Sequence, residues 1–482
     1  MLRADPAGGR LARPKRRALH VVALVLVAAA AAAQTAVPAV PLVDAPPLAS
    51  RILPNGLEII VFEDHSVPLV TTELVVRNGS FTEPPELNGL SHLYEHMFFK
   101  GNQAMVNREP YTFDIGQSGI TYNARTAEEA VTYYLTTTTP NVEISLRYLR
   151  DSAREPVFDP MLLDQEKEVV VGEIDRQESN PYAPLVQGMT RALFSRYPSR
   201  KSPAGTRATV RAATPQAMRL IQERYYVPNN AAVVMTGDIT PAAAFAAVER
   251  LFGSWPRRTV DPFVEFPMVE HPPLERSVGT VLTGPIQQVG MQIGWHGPSV
   301  GRDDASTYAA DVFLWILRQQ NSRFQRALVD SGLTMGADFG YYTQRNVGPI
   351  TMTLQTTPEQ ARAALRAAYG EIARFADPSY YTDEELESAK VALEADALFD
   401  REKPSEYAHT ISFWWATAGL DYYRGYLTRL RAVSRADITR YIRTYIQNQP
   451  HVGIALMSEA AAKASGVTPA DLIGPQPAGG GR

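Results

Sequence analysis

Two histidines and a glutamate stand out as residues that can do chemistry. They are His92, Glu95 and His96, in the run Gly89-Leu90-Ser91-His92-Leu93-Tyr94-Glu95-His96-Met97-Phe98-Phe99-Lys100-Gly101. On a helix, residues three and four apart share a face. Both imidazoles can then reach one metal ion, and Glu95 can sit beside the ion without binding it. This H-x-x-E-H order is the inverzincin pattern, a fragment of a catalytic zinc site. Such a site takes three protein ligands and leaves a fourth position for water. The chain contains no cysteine, so the third ligand must be Asp, Glu or another His. The same absence excludes disulfide staples and a thiol nucleophile.

The other candidate histidines lack ligand spacing. His65 falls at a strand end, His271 in a proline-rich stretch, and His296, His409 and His451 in the second half of the chain. Each reads as a satisfied or solvated side chain. The run Gln165-Glu166-Lys167-Glu168-Val169-Val170-Val171-Gly172-Glu173-Ile174 is more promising. Glu166 and Glu173 lie two helical turns apart and share a face. Either can complete the site, and spacing alone leaves the choice open. Glu168 is off that face and is expected in solvent, while the three valines predict burial of the stretch.

The elements around the motif follow from turn signals and alternation. Pro54-Asn55-Gly56 reads as a turn, residues 57–62 and 69–76 as strands, and Asn78-Gly79 as a strand end. Pro84-Pro85 and Asn88-Gly89 interrupt the chain before the motif helix, with Ser91 as the expected cap. Residues 119–124 and 131–137 read as strands joined by a polar turn at Ala127-Glu128-Glu129. Helices are expected after Pro140, over 161–177, and from Pro241 to about Trp255. A buried strand lies between Asn230 and Asp238. The second half repeats this order: strands, a helix near 303–330, further strands, and helices to about 447.

At 482 residues the chain is too long for one hydrophobic core. A formal charge of −4 does not point to nucleic acid as a partner. The expected organisation is a signal peptide over 1–33, a leader over 34–50, a first domain over 51–255, a linker over 256–275, a second domain over 276–458 and a disordered tail over 459–482. The basic residues Arg10 to Arg17, the apolar run that follows and Ala31-Ala32-Ala33 form the export signal. That run is short for a membrane span, and no later segment is long and apolar enough. The mature chain is therefore expected in the periplasm or secreted, with no membrane span.

These segments resemble the M16 metallopeptidases, in particular the two-domain bacterial branch related to mitochondrial processing peptidase. The resemblance rests on Pro54 to Leu57, Gly79-Ser80 through Pro84, Gly89 to Gly101, Asn123-Ala124 with Thr126 and Tyr133, Glu166 to Glu173, and Tyr225 to Asn230 with Gly237-Asp238. It implies an α+β fold of two homologous domains, each a mostly antiparallel sheet flanked by helices, together forming half of a clamshell. It implies one Zn2+ per chain held by His92, His96 and Glu173, with Glu95 as general base and Glu166 supporting a ligand. The peptide substrate would add as a strand beside Asn123 and Ala124.

One departure from the family carries information. Active relatives often have an Arg and a Tyr seven apart in the second half, which bind substrate and stabilise the oxyanion. Here Leu328 and Met335 hold those positions. The resemblance then implies a heterodimer with a second M16-type chain that supplies the pair, unless Arg326, Tyr341 or Tyr342 substitutes locally. The competing reading is a non-catalytic assembly subunit of the same fold.

Overall fold

The computed structural model describes residues 47–104 and 119–475. The expected signal peptide and most of the leader lie outside these residues. Strands β1 (Ala49–Ile52), β2 (Glu58–Glu63), β3 (Leu69–Val76), β4 (Thr121–Thr126), β5 (Val131–Thr138) and β6 (Ala231–Gly237) form one sheet in the order β1-β2-β6-β3-β5-β4. Strands β7 (Val278–Thr283), β8 (Val289–His296), β9 (Gly336–Tyr341), β10 (Pro349–Thr356) and β11 (Val452–Met457) form a second, in the order β7-β11-β8-β10-β9. Among the described strands, only β2 with β6 and β7 with β11 pair parallel. The fold is thus the expected α+β arrangement of two mostly antiparallel sheets flanked by helices.

Alternation explains the faces. In β5, Val131, Tyr133 and Leu135 are buried while Thr132, Tyr134 and Thr136 are partly exposed. The helices on the inner face include α1 (Leu90–Phe98), α2 (Val142–Arg154), α3 (Pro160–Glu178) and, further along the chain, Pro215–Tyr225 and Pro241–Phe252. By contrast β6 is buried along its whole length, because a helix covers its other face too.

That covering helix comes from the second half of the chain. Helix Pro404–Thr417 lies on β3 and β6, where Tyr407, Ile411 and Trp415 pack with Ile60, Val75 and Val234. Reciprocally, α4 (Ala183–Leu193) lies on β8 and β11, where Leu185 and Met189 pack with Ile454 and Leu456. A β-carbon at Gly294 would come 2.6 Å from Met189 Sδ, so the bare backbone there is what seats α4. The halves expected at 51–255 and 276–458 are therefore not separately closed: each gives the other a helix. The stretch 256–275 is no free tether either, since His271 is buried within it and Asn346 Nδ2 donates to Val269 O at 2.8 Å.

Two terminal expectations need correction. Regular structure begins at Ala49, and Leu48 is already buried under the exchanged helix. The tail does not start at 459: residues 459–465 form a helix, a 3-10 turn follows at Asp471–Ile473, and Leu472 is fully buried. A β-carbon at Gly453 would lie 1.7 Å from Leu472 O, so glycine in β11 admits this segment.

Trp415 joins the halves most directly. Its Nε1 donates to Glu58 Oε2 at 2.7 Å, and the Arg77 guanidinium lies 3.9 Å from its ring centroid. Burial pushes Arg77 down to about 10. Trp415→Ala removes this packing at a cost of about 3–5 kcal/mol. Thermal unfolding followed by circular dichroism should show one lowered transition for the whole chain. Two transitions, with the second unmoved, would mean that the halves fold independently.

Candidate metal centre

Helix α1 divides its residues by period. Leu90, Leu93, Tyr94 and Met97 are buried toward the sheet, where Tyr94 sits 4.1 Å from Tyr226 and Phe98 stacks 3.6 Å from Tyr133. His92, Glu95 and His96 occupy the remaining face, toward α3 and β4. Packing of the apolar face thus aims the motif.

The helix start differs from expectation. Ser91 is not the cap. Gly89 occupies that position with φ +90° and offers no side chain. The buried Glu83 carboxylate caps from outside, accepting Gly89 N–H at 2.8 Å and Ser91 N–H at 2.6 Å. Burial raises the Glu83 pKa above the ordinary carboxylate range, and these hydrogen bonds oppose the rise.

Across from α1, Glu166 and Glu173 both face the motif from α3. Glu173 Oε2 lies 3.5 Å from His92 Nε2 and 3.6 Å from His96 Nε2. All three donor atoms fall within 4.8 Å of one another. Zinc bonds of about 2.0–2.2 Å in a tetrahedron set ligand atoms about 3.3–3.6 Å apart, so both distances to Glu173 fit the ion. Glu166 is set back from it. Its Oε2 is 3.1 Å from His96 Nδ1 and its Oε1 is 2.8 Å from Lys100 Nζ. That contact holds the His96 proton on Nδ1 and leaves the Nε2 lone pair toward the triangle. Burial, with His96 adding to it, pushes His92 down to about 4, so its imidazole is neutral at pH 7.

Glu95 lies beside the triangle rather than in it. Thr126 Oγ1 donates to Glu95 Oε2 at 2.6 Å. Burial raises the Glu95 pKa, the Thr126 bond and His96 lower it, and Glu173 raises it again. The arrangement offers three metal donors and a separate carboxylate suited to moving a proton.

The other expectations fare unevenly. Glu168 is solvated, paired with Arg211 at 3.0 Å. Val169 is 47% exposed, because three successive valines cannot share one helix face. His65, His296, His409 and His451 all have hydrogen-bond partners. His271 does not: neither ring nitrogen is bonded among the described residues, and burial pushes it down to about 3. Asn123 and Ala124 lie on β4, an edge strand among the described residues, but on opposite faces. Ala124 pairs with Tyr133 and Asn123 with Tyr134. Leu328 is buried in the second core and Met335 is exposed. Of the local substitutes, Arg326 bonds Asn321 O and Tyr341 bonds Pro298 O. Tyr342 lines a cavity with Glu73 and Tyr134, on the sheet face away from α1. Glu83, Lys100 and Thr126 take these roles without any ligand-type spacing in the sequence to mark them.

Two family patterns match the chain. "Insulinase (Peptidase family M16)" covers residues 59–207 and "Peptidase M16 inactive domain" covers 212–393. The chain belongs to the M16 peptidase family. A Bacillus subtilis (strain 168) relative described as "Uncharacterized zinc protease YmxG" is 26% identical over 351 residues, covering 72% of this chain and 83% of its own. Among solved structures, a Helicobacter pylori protease superposes with a TM-score of 0.76 at 19% identity, covering 85% of this M16 chain and 99% of that one. The periplasmic protease PqqL from Escherichia coli superposes with a TM-score of 0.69 at 18% identity, over 90% of this chain but 50% of its own. No described helix is long and apolar enough to cross a membrane.

Removing the outside cap should loosen the metal triangle without touching a ligand. Glu83→Ala is expected to weaken zinc binding by about tenfold or more, the scale seen for groups that orient ligands. Competition with a chromogenic chelator measures it, and an unchanged affinity would show that Glu83 does not position α1.

Proposed function

We propose that this chain is a zinc-dependent endopeptidase or oligopeptidase subunit that hydrolyses extended peptides. The observation that carries the reading is the donor triangle of His92, His96 and Glu173 with Glu95 beside it, outside the triangle. A zinc ion bound there supplies Lewis acidity, acidifying water and polarising the peptide carbonyl. Glu95 accepts a proton from the attacking water and returns it to the leaving amine. Glu166 and Lys100 keep His96 oriented. The peptide lies along β4 as an added strand, so the backbone at Asn123 and Ala124 supplies affinity and side-chain preference stays broad.

The chain forms half of a clamshell in this reading. Leu328 and Met335 donate no hydrogen bond where active relatives carry Arg and Tyr, so a partner M16-type chain completes the site. The match to half the length of PqqL supports that division. The periplasmic neighbour and the N-terminal signal pattern support an exported protein. The alternative, an assembly subunit without activity, draws on the "inactive domain" match, but that match begins at 212, beyond every residue of the triangle.

Three variants separate the roles. Glu95→Gln should retain zinc and lose hydrolysis by about 10²–10⁴-fold. Glu173→Ala should lose the metal outright, and Glu166→Ala only weaken it. Metal analysis and cleavage of a fluorogenic peptide read both. Greater metal loss in Glu166→Ala would reverse the ligand assignment. Zinc-loaded protein that cleaves nothing, alone or with its partner, would favour the assembly subunit. Full activity as a homodimer would overturn the heterodimer.

A further inference from the structure

Strand β4 does two things at once. Among the described residues it is an edge of the first sheet, hydrogen-bonded only to β5. It also carries Thr126, whose hydroxyl holds Glu95 Oε2 at 2.6 Å. The backbone N–H of Thr126 adds a smaller contribution to the same carboxylate. Register places Tyr122, Ala124 and Thr126 on the α1 side of the strand, opposite Leu135, Tyr133 and Val131. Thr121, Tyr122 and Asn123 are exposed. The carboxylate proposed as the base is therefore tied to an edge segment of the sheet.

We propose that Thr126 is a positioning residue that couples peptide docking on β4 to the aim of Glu95. The inference rests on the reading of the chain as a peptidase that takes its substrate as an added strand. An edge strand lacks backbone partners on one side, and segments with few buried contacts open most readily. A docked peptide supplies the missing hydrogen bonds along β4. That fixes the strand, and with it the Thr126 hydroxyl. One Glu95 oxygen is then pinned, and Oε1 is left free to take the proton. Longer peptides, which pair along more of β4, should gain in turnover as well as in binding.

Zinc-loaded protein, with its partner present where activity requires it, tests this with two substrates sharing one cleavage site. One is a fluorogenic peptide of about ten residues and the other a truncated version of about three. Thr126→Val should lower kcat for the long peptide by about 10–100-fold, the scale of a misaimed catalytic group. KM and zinc content should hold. The short peptide should lose much less, and Thr126→Ser should restore kcat for the long one. Equal losses on both peptides would overturn the coupling, and unchanged kcat in Thr126→Val would overturn the positioning role. Failure of the unsubstituted protein to cleave either peptide would instead remove the peptidase reading and this inference with it.

Discussion

Two imidazole nitrogens and a carboxylate oxygen lie within 4.8 Å of one another, a group that could hold one metal ion. In the first half of the chain much else follows from sustaining that convergence. The apolar face of α1 is locked by Tyr94, Phe98, Tyr133 and Tyr226. The start of α1 is pinned by Glu83, and α3 brings Glu173 across. Neutral His92 is what such a site requires, because a protonated imidazole has no lone pair to offer. Burial supplies that state before any ion arrives.

Under the proposed function, Glu95 as the base answers to a different constraint. Glu95 must stay close to the triangle without entering it, and its tie to Thr126 comes from a strand rather than a helix. A metal triangle on rigid helices beside a base held from a sheet edge is a division of labour. In the proposed reaction the ligands need fixed geometry at all times, whereas the base needs its aim only when substrate is present. The exchanged helices serve the same end from further away. Helix Pro404–Thr417 closes the outer face of β3 and β6, so these central strands are buried on both sides.

Much of this was legible in the chain because it depends on periods. His92, Glu95 and His96 share a helical face whatever surrounds them, and alternation marks β3 and β5. The seven-residue gap in α3 put Glu166 and Glu173 together, but only tertiary distance separates the ligand position from the supporting one. Ser91 failed as the cap because the true cap, Glu83, is not adjacent to the helix, so rules of neighbouring residues miss it. Helix exchange was hidden for a related reason: an apolar face does not declare which sheet it will cover. The Ala, Gly and Pro content after 458 suggested disorder, yet glycine in β11 admits that segment by its lack of a side chain.

The central claim is that His92, His96 and Glu173 hold one zinc ion with Glu95 and Glu166 outside the coordination shell. Anomalous diffraction at the zinc edge from protein crystallised without chelator measures it directly. The account predicts a single peak at about 2.0–2.2 Å from His92 Nε2, His96 Nε2 and a Glu173 oxygen. A peak bound by Glu166 or Glu95 in place of Glu173, or no peak in zinc-saturated protein, would contradict it.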